Sequence, residues 1–387
     1  MSIWKKIAPA AALAAVALAA SAATAEINLP KTLVWTAYNT GTSGYNQAVG
    51  IGSVLKNTYG INLRVLPGKN DVSRLTPLVK GIAQFSATGS DSVYAQEAVY
   101  TFGNKNWGPQ PIRLLLHNVA DGCAVSMAVA ADTGVKTMKD LKGKRVSWVQ
   151  GAPALNKAVE AMLAHADMTW DDVEKVEVGG YGASIDSIIN GDNDAAEGAT
   201  FSTSMVKLEA SPRGLVHPPQ PHADKAGWER LNAVVPWYFP HRCMQGAAVP
   251  AEGYEGVGTA YPILVGTTQA SDDLAYNMTK AMYEHYDDYK KSAPGANGWA
   301  WDRQKLEHVF LPFHDGAIRY YKEVGKWTDG AQANQEKNLA RQDVLQAAWA
   351  TYKKGASSDD DAFNAGWMKA RFDALTAAGM ITIFETW

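Results

Sequence analysis

Two rhythms of apolar and polar residues take turns along this chain. TLVWTAY (32–38), INLRVLPG (61–68) and AQFSATG (83–89) are short runs rich in β-branched and aromatic residues, and each predicts a strand. Between them, residues 45–59 and SRLTPLVKG (73–81) place apolar side chains at helical spacing, and SDSVYAQEAV (90–99) opens a helix with a Ser/Asp cap. IRLLLHNV (112–119) adds another strand. A second series starts after Asp121. It runs as strand AVSMAVAADTG (124–134), a short helix and strand within 135–151, helix NKAVEAMLAHADM (156–168), strand 171–182, helix ASIDSIINGD (183–192) and strand DAAEGATF (194–201). Strands alternating with helices predict parallel sheets covered on their faces, an α/β chain in two lobes.

The proline-rich SPRGLVHPPQPH (211–222) reads as a surface loop of the second lobe. AYPILVGTT (260–268) is a strand again and 271–291 a capped helix, so the chain returns to the first lobe. Helices are expected over 302–326, 331–354 and, after the acidic cap SSDDD, 360–379. The predicted organisation is a leader at 1–25, lobe 1 at 26–120, lobe 2 at 121–240, lobe 1 again at 241–327, and a C-terminal helical extension at 328–387. The extension's role is open: it could wrap the first lobe, pair two copies or touch a membrane partner.

The leader carries Lys5 and Lys6, a small-residue apolar stretch and an A-x-A site at Ala23-Thr24-Ala25, the pattern of a cleavable export signal. A soluble, periplasmic protein of 362 residues is expected. Losing Lys5 and Lys6 takes the formal charge from −3 to −5, which argues against a nucleic-acid partner. The only two cysteines, Cys123 and Cys243, either pair in an oxidising compartment or stay as buried thiols.

Candidate chemistry gathers where strands end and helices begin. In NTGTSGY, Thr40, Gly41, Thr42, Ser43, Gly44 and Tyr45 combine close backbone approach with hydroxyl donors at a helix N-terminus, a setting that suits an anion. A Walker loop would need Lys-Ser/Thr where Tyr45-Asn46 stands, and no dinucleotide spacing appears, so a carboxylate fits better than a polyphosphate. PGKNDVSRL contributes Asp71, Ser73 and Arg74, and TGSDSVY contributes Ser90 and Asp91. From the second lobe come Ala152 and Asn156 in VQGAPALNKA, with Phe201 and Ser202 in GATFSTS. Open α/β sheets bind ligands at such strand ends. Arg74 is expected to grip a ligand carboxylate in bidentate fashion.

No catalytic residue, metal or cofactor is expected. His117 with Cys123 is a thin nucleophile pair, and no G-x-S-x-G elbow is present. The alternative of another class is an exported zinc-dependent α/β hydrolase using His217, His222, His241 and Cys243, although their spacing matches no standard site. A binding protein that presents its ligand to a membrane sensor is a third reading.

In combination these segments resemble the TAXI family, the extracytoplasmic solute-binding subunits of TRAP transporters, from about Leu33 to Gly325. NTGTSGYNQAVG (39–50) resembles the family's glycine-rich opening loop, and KGIAQFSATGSDSVYA (80–95) its strand carrying Ser-Asp before a helix. VKTMKDLKGKRVSWV (135–149) is similar to the start of its second lobe. Residues 253–289 are similar to its return segment, and PFHDGAIRYYKEVG (312–325) to its closing helix. The resemblance implies a type II periplasmic-binding-protein fold, two lobes on a hinge. It also implies that the lobes trap a small organic acid or acidic amino acid and pass it to TRAP membrane permease subunits. Asn46 and Gln47 replace the family's tyrosines, Arg74 stands where asparagine is common, and Ala152 to Asn156 replace a Gly-Ser-Gly-Thr-Glu loop. FSTS (201–204) departs from the usual Gly-x-Pro ending, so glutamate is not assumed as the ligand.

Overall fold

The structure, a computed structural model, describes residues 26–384, so the expected leader at 1–25 lies outside the described residues. The first lobe runs β1 (Thr32–Ala37), α1 (Ser43–Tyr59), β2 (Asn62–Pro67), α2 (Asp71–Val79), β3 (Phe85–Thr88), α3 (Ser90–Glu97) and β4 (Ile112–His117). The second runs β5 (Met127–Val129), β6 (Arg145–Val149), α4 (Pro153–His165), β7 (Glu174–Val178), α5 (Tyr181–Asn190), β8 (Ala195–Glu197), α6 (Thr203–Glu209) and α7 (Lys225–Val234). The hairpin β9 (Phe239–Cys243) and β10 (Tyr254–Gly258) follows. Then come β11 (Ile263–Thr267), α8 (Asp272–Glu284), α9 (Tyr286–Tyr289) and α10 (Asp315–Glu323), and finally α11 (Asp329–Tyr352) and α12 (Asp360–Ala377).

One sheet has the order β2-β1-β3-β11-β4 and the other β5-β8-β6-β7. In the first, β1 pairs in parallel with β2 and β3, while β11 runs antiparallel to both β3 and β4. In the second, β6 pairs in parallel with β7 and β8, and β5 runs antiparallel to β8. The reversed strand in each sheet is the one that has just crossed from the other lobe. A chain arriving from the cleft side must run against strands whose carboxyl ends face that cleft. This arrangement is the two-lobed type II periplasmic-binding-protein fold. Strands buried on both faces, such as β3 and β11, carry apolar or small residues throughout, as a covered sheet requires.

Re-entry into the first lobe comes at Ile263, later than the expected 241. The β9–β10 hairpin belongs with the second lobe, because Val257 bridges to Val125 and is buried in that lobe's core with Tyr238. Helix was expected over 302–326, yet only Asp315–Glu323 is α-helical there. Residues 312–314 instead lie beside β4: Leu114 N–H donates to Pro312 O (2.9 Å), and Gln335 Oε1 accepts from Phe313 N–H (2.7 Å). Pro312 has no amide proton to continue a helix. The C-terminal helices wrap the first lobe, where Trp349, Phe363 and Trp367 pack on Ala98. Among the described residues no helix is long and apolar enough to cross a membrane.

Cys123 and Cys243 form a disulfide across 120 positions, joining the hinge-side segment to the hairpin. Replacing both with serine is expected to cost about 2–4 kcal/mol, since a long loop regains its unfolded-state freedom. Urea unfolding under non-reducing conditions measures the loss.

Candidate functional site

The lobes meet over a cavity of about 60 Å³, lined by side chains of both. Bonds cross between them beside it. Asn70 Nδ2 donates to Gln150 O (3.0 Å), Tyr181 N–H to Lys69 O (3.1 Å), Trp237 Nε1 to Ser90 Oγ (2.9 Å), and Thr203 Oγ1 to Gly41 O. The lobes are closed on each other.

The N-termini of α1, α2 and α4 at this cleft are met by the protein's own groups. Thr42 caps α1, its Oγ1 accepting from Tyr45 N–H (3.2 Å) and donating to Asn39 O (2.8 Å). Ser43 Oγ lies 3.5 Å from the Tyr261 hydroxyl, which also accepts from Gly44 N–H. A Cβ at Gly44 would fall 2.6 Å from the Tyr38 ring, so only glycine lets that tyrosine cover the loop. Gly41 takes a left-handed φ of 88°. Thr40 is exposed, and Tyr45 packs against the first lobe's core. At α2, Asn70 and Ser73 cap one another in a capping box, which uses the Ser73 hydroxyl.

The expected grip of Arg74 on a ligand is made internally instead. Its Nη2 donates to Asp71 Oδ1 and to Asp91 Oδ2, both at 2.7 Å, and its Nε to Asp91 Oδ2 at 3.1 Å. The guanidinium lies over the Tyr38 ring at 3.9 Å. Asp91 also accepts from Thr88 Oγ1 (2.5 Å) and Gly89 N–H (2.9 Å). Asp71 Oδ2 reaches across the cleft to Ala154 N–H (2.8 Å) at the start of α4. Asp71 thereby occupies the anion position that the second lobe's helix offers. The physical reason is burial: Arg74 and Asp71 are only 3% and 2% exposed, and a charge so enclosed needs fixed partners. Burial pushes Asp71 up to about 7, helped by the charge of Asp91, against the pull of Arg74 and the Ala154 N–H. Burial opposes the Arg74 charge, but Asp91, Tyr38 and Asp71 together raise its pKa.

Glu197 ends β8 and lines the cavity at 8% exposure, with no hydrogen-bond or ion-pair partner among the described residues. Burial lifts its pKa to about 8, with the charge of Asp71 adding. The tyrosines 38, 181, 238 and 261 complete the lining. Burial raises each of them above the ordinary phenol value, Tyr261 to about 12. Because Glu197 is raised in the folded chain, the unfolded chain releases its proton first. Stability therefore falls as pH rises from the ordinary 4.5 toward about 8. Glu197→Gln is expected to gain about 1–3 kcal/mol at pH 8 and nothing near pH 4; melting curves at both values check this.

The remaining predicted residues divide. Ser90 lines the cavity. Asn156 folds back on its own strand end, accepting from Val149 N–H (2.9 Å) and donating to Val149 O (3.0 Å), while Ala152 is fully buried beneath it. Phe201 sits in a small apolar cluster with Ala120, Ala124 and Ala199, beside Tyr261. Ser202 caps α6 by accepting from Met205 N–H (3.3 Å), its hydroxyl 3.5 Å from Tyr181 OH. The alternative zinc set loses Cys243 to the disulfide. His217 is held by Ser126 Oγ (2.8 Å) and Ala247 O (3.1 Å), and His222 by Gly256 O (3.1 Å).

Sequence reasoning passed over Tyr38, Tyr181, Tyr261 and Glu197, and took Tyr238 as an aromatic more often core than cleft lining. One signal was present: Glu197 is an acid at the carboxyl end of an otherwise small, apolar strand, where α/β sites form. Beside the cavity lies a larger chamber of about 1130 Å³, walled by Val93, Trp237, Phe310 and Ile383, and sharing Ser90, Tyr238 and Ala260 with it.

Fold and cleft thus define a two-lobed protein that closes over a small enclosed site. By sequence it belongs to the NMT1-like family, whose pattern matches residues 36–325. It is similar in structure to the alkanesulfonate-binding protein SsuA from Xanthomonas axonopodis pv. citri bound to MOPS, at 13% identity and a TM-score of 0.45, over 81% of this chain and 84% of that one. The periplasmic aliphatic sulphonate binding protein SsuA from Escherichia coli matches at 12% identity and TM-score 0.37, over 80% and 88%. An ancestral arginine-binding protein bound to arginine matches at 12% and 0.42, over 70% and 99%.

Proposed function

We propose that the protein is a periplasmic solute-binding protein of a TRAP-type transporter, which traps a small polar solute between its lobes and delivers it to membrane permease subunits. The observation that carries this reading is the cavity between the lobes, lined by residues of both, which exists only while they touch. Family membership and the resemblance to TAXI subunits support it. Thr42 and Ser90 from the first lobe would meet the solute together with Tyr181 and Glu197 from the second. A solute bridging the lobes makes bonds unavailable in the open form and so shifts the population toward closure. The expected carboxylate enters this reading only as one group of the solute, because Asp71 already fills the position at α4 and Arg74 is already paired.

A thermal-shift screen of amino acids, amines and organic acids tests the reading. A true solute is expected to raise the melting temperature in a concentration-dependent way, corresponding to about 2.7 kcal/mol at one hundred times its Kd, and to shrink the scattering radius of the mature protein. Absence of any hit across the three classes would end it.

A further inference from the structure

We infer that the trapped solute carries a cationic nitrogen, a protonated amine or small methylated ammonium, seated against the Glu197 carboxylate inside the ring of cleft tyrosines. This rests on the solute-binding reading above and names the chemistry of the same site.

Four charged side chains line the cavity. Asp71 and Arg74 come from α2, Glu197 from β8, and Lys69 is exposed; Asp91 of α3, fully buried, holds Arg74. Asp71 and Asp91 are consumed by Arg74, the Ala154 and Gly89 amides and the Thr88 hydroxyl. Of these acids Glu197 is the one left over, more than nine-tenths buried, lining the cavity, and with no partner for its carboxyl among the described residues. A buried carboxylate with no partner is costly. Either a proton or a cation must complete the site. Its neighbours suit a cation: Tyr38, Tyr181, Tyr238 and Tyr261 line the same cavity, and aromatic side chains can offer an ammonium group a negative face. A carboxylate in the same place would face Glu197 and Asp71 at once. The volume agrees: about 60 Å³ admits one small ammonium head or roughly two waters. Burial holds the Glu197 proton up to about 8 in the empty cleft, so an arriving cation should displace that proton and bind more tightly as pH rises toward 8.

Calorimetric titration of the mature, disulfide-intact protein tests this. The probes are methylammonium, ethanolamine, glycine and putrescine, with acetate and succinate as amine-free anions. An amine-bearing probe is expected to bind, more tightly at pH 8 than at pH 6. Affinity should drop at least tenfold in Glu197→Gln and recover in part in Glu197→Asp, which keeps the charge. Binding of an amine-free acid that survives Glu197→Gln would overturn the inference. So would a solute from the wider screen that closes the lobes of Glu197→Gln as well as those of wild type; in both cases the solute-binding reading stands. If nothing from the screen closes the lobes, that reading falls and takes this inference with it.

Discussion

Arg74→Ala is expected to destabilise the protein by about 3–5 kcal/mol, the usual cost of removing one partner from a buried ion-pair cluster. Read from sequence, the same substitution would weaken ligand binding and leave the fold intact. The structure adds a stability role. Arg74 is the single cation between Asp71 and Asp91, which are 2% and 0% exposed, and its guanidinium also covers the Tyr38 ring. Without it two buried carboxylates lie close together with no cation between them. Asp71 then loses its positive neighbour while still tied to Ala154 N–H, so the lobes should separate before the whole chain unfolds. Urea denaturation measures the loss, and scattering measures the opening. Adding Asp91→Asn to Arg74→Ala should recover part of the stability by removing one unpaired charge. A single Arg74→Ala variant as stable as wild type would show that the cluster is hydrated in solution.

Glu97→Ala should be equally severe, and at the other end of the first lobe. Glu97 ends α3 and receives Arg371 Nη2 at 2.5 Å, together with Arg341 Nε at 2.7 Å and Nη2 at 2.9 Å. Arg371 is fully buried, and its Nε and Nη1 have no other protein partner. Truncating Glu97 leaves that guanidinium beside the Phe384 ring with only the Ile383 carbonyl as acceptor among the described residues. The expected cost is about 3–5 kcal/mol. The loss should be local first: α12 detaches and becomes open to protease while the two sheets remain folded. Burial pushes the Glu97 carboxyl up, yet Arg371 and Arg341 together hold it below its ordinary 4.5. Its contribution is therefore present above that value and is lost as pH falls through the folded-state pKa. Limited proteolysis at pH 7 and pH 3.5, with wild type alongside, reads both effects.

Much of the scaffold was legible because its signals are short-range. Alternating strand and helix periods gave the two α/β series. Thr42, Asn70, Ser271, Thr328 and Asp359 each cap a helix through a backbone amide two or three residues away, which a local pattern can announce. The crowding of loops at strand ends, and so the position of the cleft, followed from the same alternation. Where local pattern and packing disagreed, packing won: Pro312 and Phe313 lie along β4, and the hairpin at Phe239–Gly258 joins the second lobe through Val125 and the disulfide.

What the sequence determined by itself is the pair of α/β lobes, their shared cleft and the residue types available to it. What only the tertiary structure decided is which charge meets which. Asp71 finds Ala154 from 83 positions away, and Glu97 finds Arg341 and Arg371 from 244 and 274. Periodicity reports on neighbours within a turn or a pleat, whereas the energy of a buried charge depends on whichever group the folded chain brings within about 3 Å of it. Arg74 is thus tied into the cleft wall by Asp71 and Asp91, and Glu197, an unremarked strand residue, lines the cavity with no partner for its carboxyl among the described residues.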